Sequence, residues 1–387
     1  MIDLYPVINS NRDRLSKEEK LIFSCATLNA DKDNIKESSR LDLNWKDISN
    51  RVASYKLGPL LYRQLHDSEG IPQSVKQALR EDTALVFAKN ILLLQELESL
   101  IEKFRQGGIE IIILKGAALA YEVYGDIALR GFDDIDILIK RKDRDKIFSI
   151  LRKCGYSISQ KERLDFSLKY RSQVLFAKDS KFFIDLHWNL MDLERYNKVT
   201  NIDLDRIWNN KQPLDIKGIS SYQLSLNDTI IYQCLHLAIQ HAFKGLLMCV
   251  DINELISKYK GKINWDSLIE DVAYYRVKKP VFYAFLFTKR MFNSDIPQWV
   301  LDRLKPKMSS LEEKIIFKKL KSANMDKNIE YILTPLLLDS WPQRLKFIFF
   351  DSLRSPKYFF YSLKLIFKSI ALAIKMLLKN KERVSSI

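Results

Sequence analysis

The chain has 387 residues, 47% of them hydrophobic, and carries a formal net charge of +15. This length predicts two or three domains with sizeable cores, and the scarcity of glycine (11) and proline (10) excludes a linker-rich or largely disordered chain. The positive charge points to phosphate-rich ligands, nucleic acid or an anionic membrane as partners.

Cysteine usage and the N-terminus indicate a cytoplasmic protein. The cysteines are far apart in the sequence and form no CxxC pair, which predicts free thiols, a reducing compartment and no zinc site; they are Cys25, Cys154, Cys234 and Cys249. The start, "MIDLYPVINSNRDR", has no basic segment leading into an apolar run, so no signal peptide is expected. No uncharged apolar run approaches the ~18 residues that span a bilayer.

The first region, residues 1–107, is predicted to be helical. Apolar residues recur at helical spacing in "NWKDISNRVASYKLGPLLYRQL" and in "SVKQALREDTALVFAKNILLLQELESLIEKF". The second of these stretches ends at Gly107 and Gly108, which is typical of a helix C-terminus.

The second region, residues 108–215, is predicted to be a small α/β unit. The β-branched run "IEIIILK" predicts a strand, "GAALAYEVYG" a short helix, "DIDILIK" a second strand and "RKDRDKIFSILRKCG" another helix. The segments "QVLFAK" and "KFFIDLHWNL" predict an antiparallel hairpin around the turn "DSK".

The third region, residues 216–340, is again predicted to be helical, with one long helix in "LSLNDTIIYQCLHLAIQHAFKGLLMCVDINELISKY". His236 and His241 are five residues apart, so they do not share a helical face well, and we expect them to pack or cap rather than to bind a metal. Asp251 follows an apolar run and is expected to cap the next helix. The predicted fold class is α+β, with a small mixed sheet flanked by N-terminal and C-terminal helical regions.

Several aspartates crowd the start of the second strand, in "RGFDDIDILIK". Because side chains alternate along a strand, Asp134 and Asp136 share one face, the isoleucines share the other, and Asp133 is peripheral. Asp185 lies in the later strand "FFIDLHW", so three carboxylates converge if the hairpin pairs beside the second strand. Such a cluster repels itself unless cations fill it, and its oxygen ligands suit Mg²⁺ in the two-metal arrangement of phosphoryl and nucleotidyl transfer.

A phosphate-binding element is predicted just before these aspartates. Gly116 lies between a strand and a helix, where it allows close backbone approach and where the helix N-terminus offers N–H groups to a phosphate. Lys115 adds a positive charge at the same place, and Arg130 could neutralise a triphosphate.

These motifs resemble the DNA-polymerase-β-like nucleotidyltransferase superfamily. More narrowly, "ILKGAALAYEVYGDIALRGFDDIDILI" with the later "FIDLHW" resembles the uncharacterised bacterial nucleotidyltransferase family, over roughly residues 40–300. Its members share a Lys-Gly-x-Ala-Leu element, an Arg before Asp-Ile-Asp, and an Asp-Leu-His-Trp strand. This chain has Gly116-Ala117 where the wider superfamily usually has Gly-Ser or Gly-Gly.

The resemblance implies a role for each matching residue. Asp134 and Asp136 would bind both metal ions, and Asp185 would bind the catalytic ion and help activate the acceptor. The expected cofactor is Mg²⁺, as two ions, with Mn²⁺ able to replace it, and the donor is an NTP. The implied nucleotide-binding residues are Lys115, Gly116, Arg130 and His187, and His187 could contact the acceptor instead.

The same residues allow other interpretations. The aspartates could form a solvated charge pair at the strand end with Lys140 and Arg130 as partners, and His187 could be purely structural. The chain could also be a catalytically inactive nucleotidyltransferase fold that binds membrane or RNA. As an enzyme, it would act on an RNA end, a sugar or antibiotic, a protein or a membrane-linked glycan intermediate, and its charge favours an anionic acceptor.

The C-terminal tail, residues 341–387, is basic and amphipathic. Lysines spaced by 7, 4, 7 and 4 residues form a stripe about 60° wide at helical geometry; they are Lys357, Lys364, Lys368, Lys375 and Lys379. An apolar body with a cationic edge suits residues 356–380 lying in the interface of an anionic membrane, which would place the protein on the inner face of the cell membrane. The alternatives are a helix packed on the core and, less favoured, a helix that binds nucleic acid.

Overall fold

The computed structural model describes residues 15–160, 162, 164–307, 312–313, 316–317 and 329–350. The fold class is α+β, as predicted, with a seven-stranded mixed sheet between N-terminal and C-terminal helical regions. The strands are β1 (Ile112–Ile113), β2 (Ile135–Leu138), β3 (Ser157–Ile158), β4 (Gln173–Lys178), β5 (Phe182–His187), β6 (Gln212–Ile216) and β7 (Ile219–Gln223).

The strand order in the sheet is β3-β4-β5-β2-β1-β7-β6. The pairs β2/β5 and β1/β7 are parallel, and the other neighbouring pairs are antiparallel. The predicted hairpin is present as β4 and β5, and it does lie beside β2. The predicted domain boundary after residue 215 falls inside β6, the first strand of the hairpin β6–β7. The domain boundaries themselves remain predictions.

The N-terminal region contains five described helices, and the last of them is the longest. It has 34 residues and ends at Gly107, where Gly108 adopts a φ of +64° that favours glycine, so the predicted helix stop is confirmed. The five are α1 (Lys17–Cys25), α2 (Lys32–Ser39), α3 (Trp45–Tyr55), α4 (Gly58–Leu65) and α5 (Gln73–Gln106).

The sheet region carries short helices that connect its strands. They are α6 (Ala117–Glu122), α7 (Arg144–Lys153), α8 (Leu164–Tyr170), α9 (Glu194–Asn197) and α10 (Leu204–Asn210), and a 3₁₀ turn at Arg141–Asp143 precedes α7.

The prediction of one long helix after the sheet is wrong. The helix changes to π geometry at His236–Gln240 and then ends in a turn in which Ala242 and Phe243 both have positive φ. A π turn inserts an extra residue into the helical ladder, which apolar periodicity does not reveal. The C-terminal helices are α11 (Leu226–Leu235), α12 (Leu246–Lys258), α13 (Trp265–Tyr275), α14 (Lys278–Phe292), α15 (Gln298–Leu304), α16 (Ile329–Leu336) and α17 (Trp341–Phe349).

The two faces of the sheet belong to two hydrophobic cores. Ile135, Ile137 and Ile184 lie in one core with residues of α5 and α7. Leu138 lies in the other core, which joins the N-terminal and C-terminal helices; in that core the rings of Phe23 and Phe292 meet edge to face at 6.1 Å. Since side chains alternate, Asp136 shares the face of Leu138 and therefore points toward the helical regions.

Among the described residues, no helix has the length and apolar character needed to cross a membrane. The proposed membrane-binding segment, residues 356–380, lies outside the described residues and stays a prediction.

Candidate functional site

The carboxylates of two neighbouring parallel strands meet in the middle of the sheet. Asp136 on β2 is directly opposite Asp185 on β5, and the next pair on the same face is Leu138 and His187. The structure thus brings Asp136, Asp185 and His187 together, as the sequence predicted for the two strands. The side chains of Asp136 and His187 are buried, each 1% exposed, and that of Asp185 is partly buried, at 14%.

Three hydrogen-bonding or ionic contacts tie this cluster together. The Nε2 atom of His187 lies 3.4 Å from Asp136 Oδ1 and 3.4 Å from Asp185 Oδ2. The Nζ atom of Lys115 lies 2.9 Å from the same Oδ1 of Asp136. Two acidic and two basic side chains therefore lie in contact with one another at the middle of the sheet.

The cluster fits a divalent cation. Asp136, Asp185 and His187 each offer one ligand atom, and these atoms lie within 4.8 Å of one another. Asp136 Oδ2 and Asp185 Oδ1 are buried and have no hydrogen-bond partner among the described residues. Unpartnered buried carboxylate oxygens are costly, and they are the hard ligands that Mg²⁺ requires.

Asp134 lies at the edge of this cluster, just before β2 begins. It is not one of the three grouped ligands, although its charge interacts with those of Asp136, Lys115 and Asp185. Burial, and after it the charge of Asp136, raise the pKa of Asp134 to about 6, against the opposing effect of Lys115. Its predicted role as a metal ligand stays a prediction.

Neighbouring charges shift the pKa values of Asp136 and His187 in opposite directions. Burial would raise the pKa of Asp136, but Lys115 and His187 hold it below its ordinary value. Burial would lower the pKa of His187, but Asp185 and Asp136 outweigh this effect and raise it to about 9. The two carboxylates therefore favour a proton on His187 Nε2, and the Nδ1 atom of the ring has no partner among the described residues.

The Lys115–Gly116 element lies where the sequence places it, between β1 and α6. Gly116 has a φ of +54°, and a Cβ there would lie 3.3 Å from the Cβ of Phe132 and 3.6 Å from the backbone oxygen of Asp134. Glycine is therefore required at this turn. The turn places Lys115 in contact with Asp136. It also packs Gly116 closely against Phe132 and Asp134 in the loop before β2.

Arg130 is held by a residue that the sequence analysis left outside the site. Its Nη2 donates to Asp251 Oδ2 at 2.8 Å and its Nε to Asp251 Oδ1 at 3.2 Å. Tyr124 donates its hydroxyl to the same Oδ1 at 2.7 Å. Asp251 lies inside α12 and does not cap a helix, so that expectation is wrong. The role of Arg130 in binding a triphosphate stays a prediction, and its guanidinium is buried in this pair.

The alternative ion pairs proposed for the strand end are also wrong. Asp133 is exposed and contacts Lys56 and Lys89, and Lys140 pairs with Glu110 at 2.9 Å. The reason is geometric, since Asp133 points away from β2 toward α5 and the turn after α3.

Three rings on the helical side, which sequence reasoning missed, lie within range of the charge of Lys115; they belong to Tyr232, His236 and His241. The ring of His236 is 5.9 Å from that of Tyr232 and 4.5 Å from that of His241. The premise that a spacing of five residues keeps the two histidines apart is wrong, because the π turn bonds the backbone N–H of His241 to the carbonyl of His236 at 3.1 Å.

Comparison with known proteins identifies a family. The model of a family described as uncharacterised nucleotidyltransferase matches residues 42–293, which is more than half of the chain. No curated protein matches. Among solved structures, the chain is similar to the solution structure of the antibiotic-resistance factor ANT(2'')-Ia, at 12% identity over 43% of this chain and 86% of that one, with a TM-score of 0.31.

Proposed function

The chain belongs to the family of uncharacterised nucleotidyltransferases, and from that premise we propose that it transfers a nucleoside monophosphate from an NTP to an acceptor hydroxyl or phosphate in a Mg²⁺-dependent reaction. The observation that carries the proposal is the pairing of Asp136 with Asp185 across two parallel strands. Two buried carboxylates with unpartnered oxygens are unfavourable in a purely structural role, and a bound cation would compensate them.

Asp136 and Asp185 would hold the metal, with Asp134 beside them as a further ligand and two ions as the expected number. Mg²⁺, or Mn²⁺ in its place, would polarise the transferred phosphoryl group and neutralise the charge that develops on the leaving group. Lys115 contributes a permanent positive charge next to the same oxygens, at 2.9 Å from Asp136.

Each side chain around the cluster has a role in the proposed transfer step. The acceptor oxygen attacks the α-phosphorus and forms the new P–O bond, the bond to the β-phosphate oxygen breaks, and pyrophosphate leaves. The proton of the acceptor hydroxyl passes to Asp185, whose Oδ1 has no hydrogen-bond partner in the part of the chain that the structure describes. Lys115 and the backbone at Gly116 orient the phosphates, and His187 offers its unpartnered Nδ1 atom to the nucleotide or the acceptor.

The acceptor is proposed to be anionic, because the chain carries a net charge of +15. An RNA end or a phosphorylated glycan intermediate would meet this condition. The basic segment 356–380 would bring the enzyme to an anionic membrane. Truncation after Phe350, which retains the buried residues of α17 such as Phe347, should release the protein from phosphatidylserine vesicles, and unchanged binding would remove the membrane from the proposal.

The test of the proposed reaction is pyrophosphate release from each of the four NTPs by the purified chain, with water in place of the unidentified acceptor and with Mg²⁺ or with EDTA. We expect release with Mg²⁺, its loss with EDTA and its loss in Asp185→Asn. The matched control is Asp133→Asn, because Asp133 is a neighbouring carboxylate outside the cluster, and it should keep full turnover. Turnover that persists in Asp185→Asn would show that the site is wrongly assigned, and failure to bind any NTP would favour the inactive binding protein.

A further inference from the structure

The Tyr232 side chain on α11 is completely buried, and its hydroxyl has no hydrogen-bond partner among the described residues. Burying a hydroxyl without a partner costs free energy that phenylalanine at the same position would not. Two other tyrosines of the helical side show the ordinary arrangement. Tyr124 donates to Asp251 at 2.7 Å and Tyr275 donates to Asp228 at 2.8 Å.

Tyr232 shares its electrostatic environment with the carboxylate cluster. Burial raises the pKa of its hydroxyl, Lys115 opposes this rise, and Asp136, Asp185 and Asp134 add to it. The charged groups that act on Tyr232 are therefore those of the proposed active site. The hydroxyl stays protonated at neutral pH, so it is available as a hydrogen-bond donor.

The chain after Tyr232 contains a π turn and two residues with positive φ, features that are common at functional sites. One turn later the helix changes to π geometry at His236–Gln240, and the Nδ1 atom of the buried His236 is unpartnered as well. The turn that follows holds Ala242 and Phe243 at φ of 47° and 62°, a region that non-glycine residues occupy at a cost. π turns occur frequently at functional sites, and two polar groups without a described partner lie one helical turn apart here, at Tyr232 and His236.

We propose that Tyr232 is a catalytic residue of this site, whose hydroxyl donates a hydrogen bond to a non-bridging oxygen of the α-phosphoryl group of the bound NTP. This inference rests on the proposed function. The carboxylate side of the site holds the metal, and the helical side supplies a neutral donor for the phosphoryl oxygen that gains charge during the transfer. Tyr232 keeps its proton throughout, so it adds no proton-transfer step to the reaction.

The test separates substrate binding from stability by comparing Tyr232→Phe with Tyr275→Phe in the full chain. The α,β-methylene analogues of the four NTPs are titrated calorimetrically with Mg²⁺, the one that the wild type binds most tightly is the probe, and the melting temperature Tm is measured for each variant. Tyr232→Phe should bind the probe about tenfold more weakly, since a hydrogen bond to a charged group is lost, while its Tm is unchanged or higher. Tyr275→Phe should bind it normally and melt at a Tm lower by about 2–4 °C.

Each outcome has a distinct meaning. If the wild-type chain binds none of the four analogues with Mg²⁺, the proposed function fails, and this inference fails with it. If the wild type binds and Tyr232→Phe binds equally well, the proposed function stands and the role of Tyr232 is refuted. A fall in Tm for Tyr232→Phe as large as that for Tyr275→Phe would also overturn the inference, because it would reveal a structural partner for the hydroxyl.

Discussion

Two buried ion pairs lie near each other between the sheet and the helices, and they are built differently. In the closed pair, Arg130–Asp251, both carboxylate oxygens accept hydrogen bonds, and Tyr124 completes the set. In the open pair, Lys115–Asp136, one carboxylate oxygen contacts Lys115 and His187, and the other has no partner among the described residues. A satisfied buried pair is consistent with a structural role, whereas an unsatisfied one indicates a place kept for a ligand.

The largest expected effect is on the open pair. Asp136→Asn keeps the size of the side chain and removes the charge that would bind the cation, so turnover should fall by about 10³-fold or more. The fold should be retained, as far-ultraviolet circular dichroism can verify, because the other face of β2 packs in an apolar core, although the lost counter-charge of Lys115 should lower the free energy of unfolding. Pyrophosphate release within tenfold of the wild type would contradict the assignment of this pair to the reaction.

The next largest effect should be on the closed pair, and on stability. Asp251→Asn leaves the buried guanidinium of Arg130 without its counter-charge, which should lower the free energy of unfolding by about 3–5 kcal/mol. Urea unfolding measures the loss. The closed pair would belong to the substrate site instead if Asp251→Asn kept its stability but lost Mg²⁺-dependent NTP binding.

A smaller effect is expected for the cation of the open pair. Lys115→Met removes the positive charge and keeps most of the apolar stem, so the affinity for an NTP should fall by about tenfold or more. Lys115→Arg is the matched control, because it keeps the charge and should recover part of the affinity. Equal affinities for wild type and Lys115→Met, measured by calorimetry, would show that Lys115 only neutralises Asp136.

The smallest effect should be at the exposed aspartate beside the site. Asp133 is half exposed and contacts Lys56 and Lys89, and exposed ion pairs contribute little to stability. Asp133→Asn should therefore change the free energy of unfolding by no more than about 0.5 kcal/mol. A larger loss by urea unfolding would mean that these lysines anchor the loop before β2, and the contrast between buried and exposed pairs would need revision.

The sequence predicted the strands of the site well, for local reasons. Alternation along β2 puts Asp136 on one face and Ile135 and Ile137 on the other, and the structure shows this arrangement. The turn "DSK" fixed the hairpin, and Gly116 marked a position where φ is positive. Each of these signals depends on residues that are close in the chain, which is where periodicity and turn chemistry are informative.

The helical side of the site could not be predicted in the same way. Asp251 is 121 residues from Arg130 in the chain, and no local pattern reports a partner at that separation. The π turn at His236–Gln240 changes which residues share a face, so the ordinary helical spacing misplaced His241. Tyr232 carries no local signal in the apolar stretch "LSLNDTIIYQCLHLAIQ", because only the structure shows that its hydroxyl lacks a partner among the described residues.

The most direct test of the central claim is a calorimetric titration of Mg²⁺ and an NTP into the wild-type chain and into Asp136→Asn. We expect NTP binding that requires the metal in the wild type and is lost in the variant, because the cation is proposed to bind at the open pair. Metal-dependent binding of equal strength in both proteins would contradict it, and the buried carboxylates of β2 and β5 would then need another explanation.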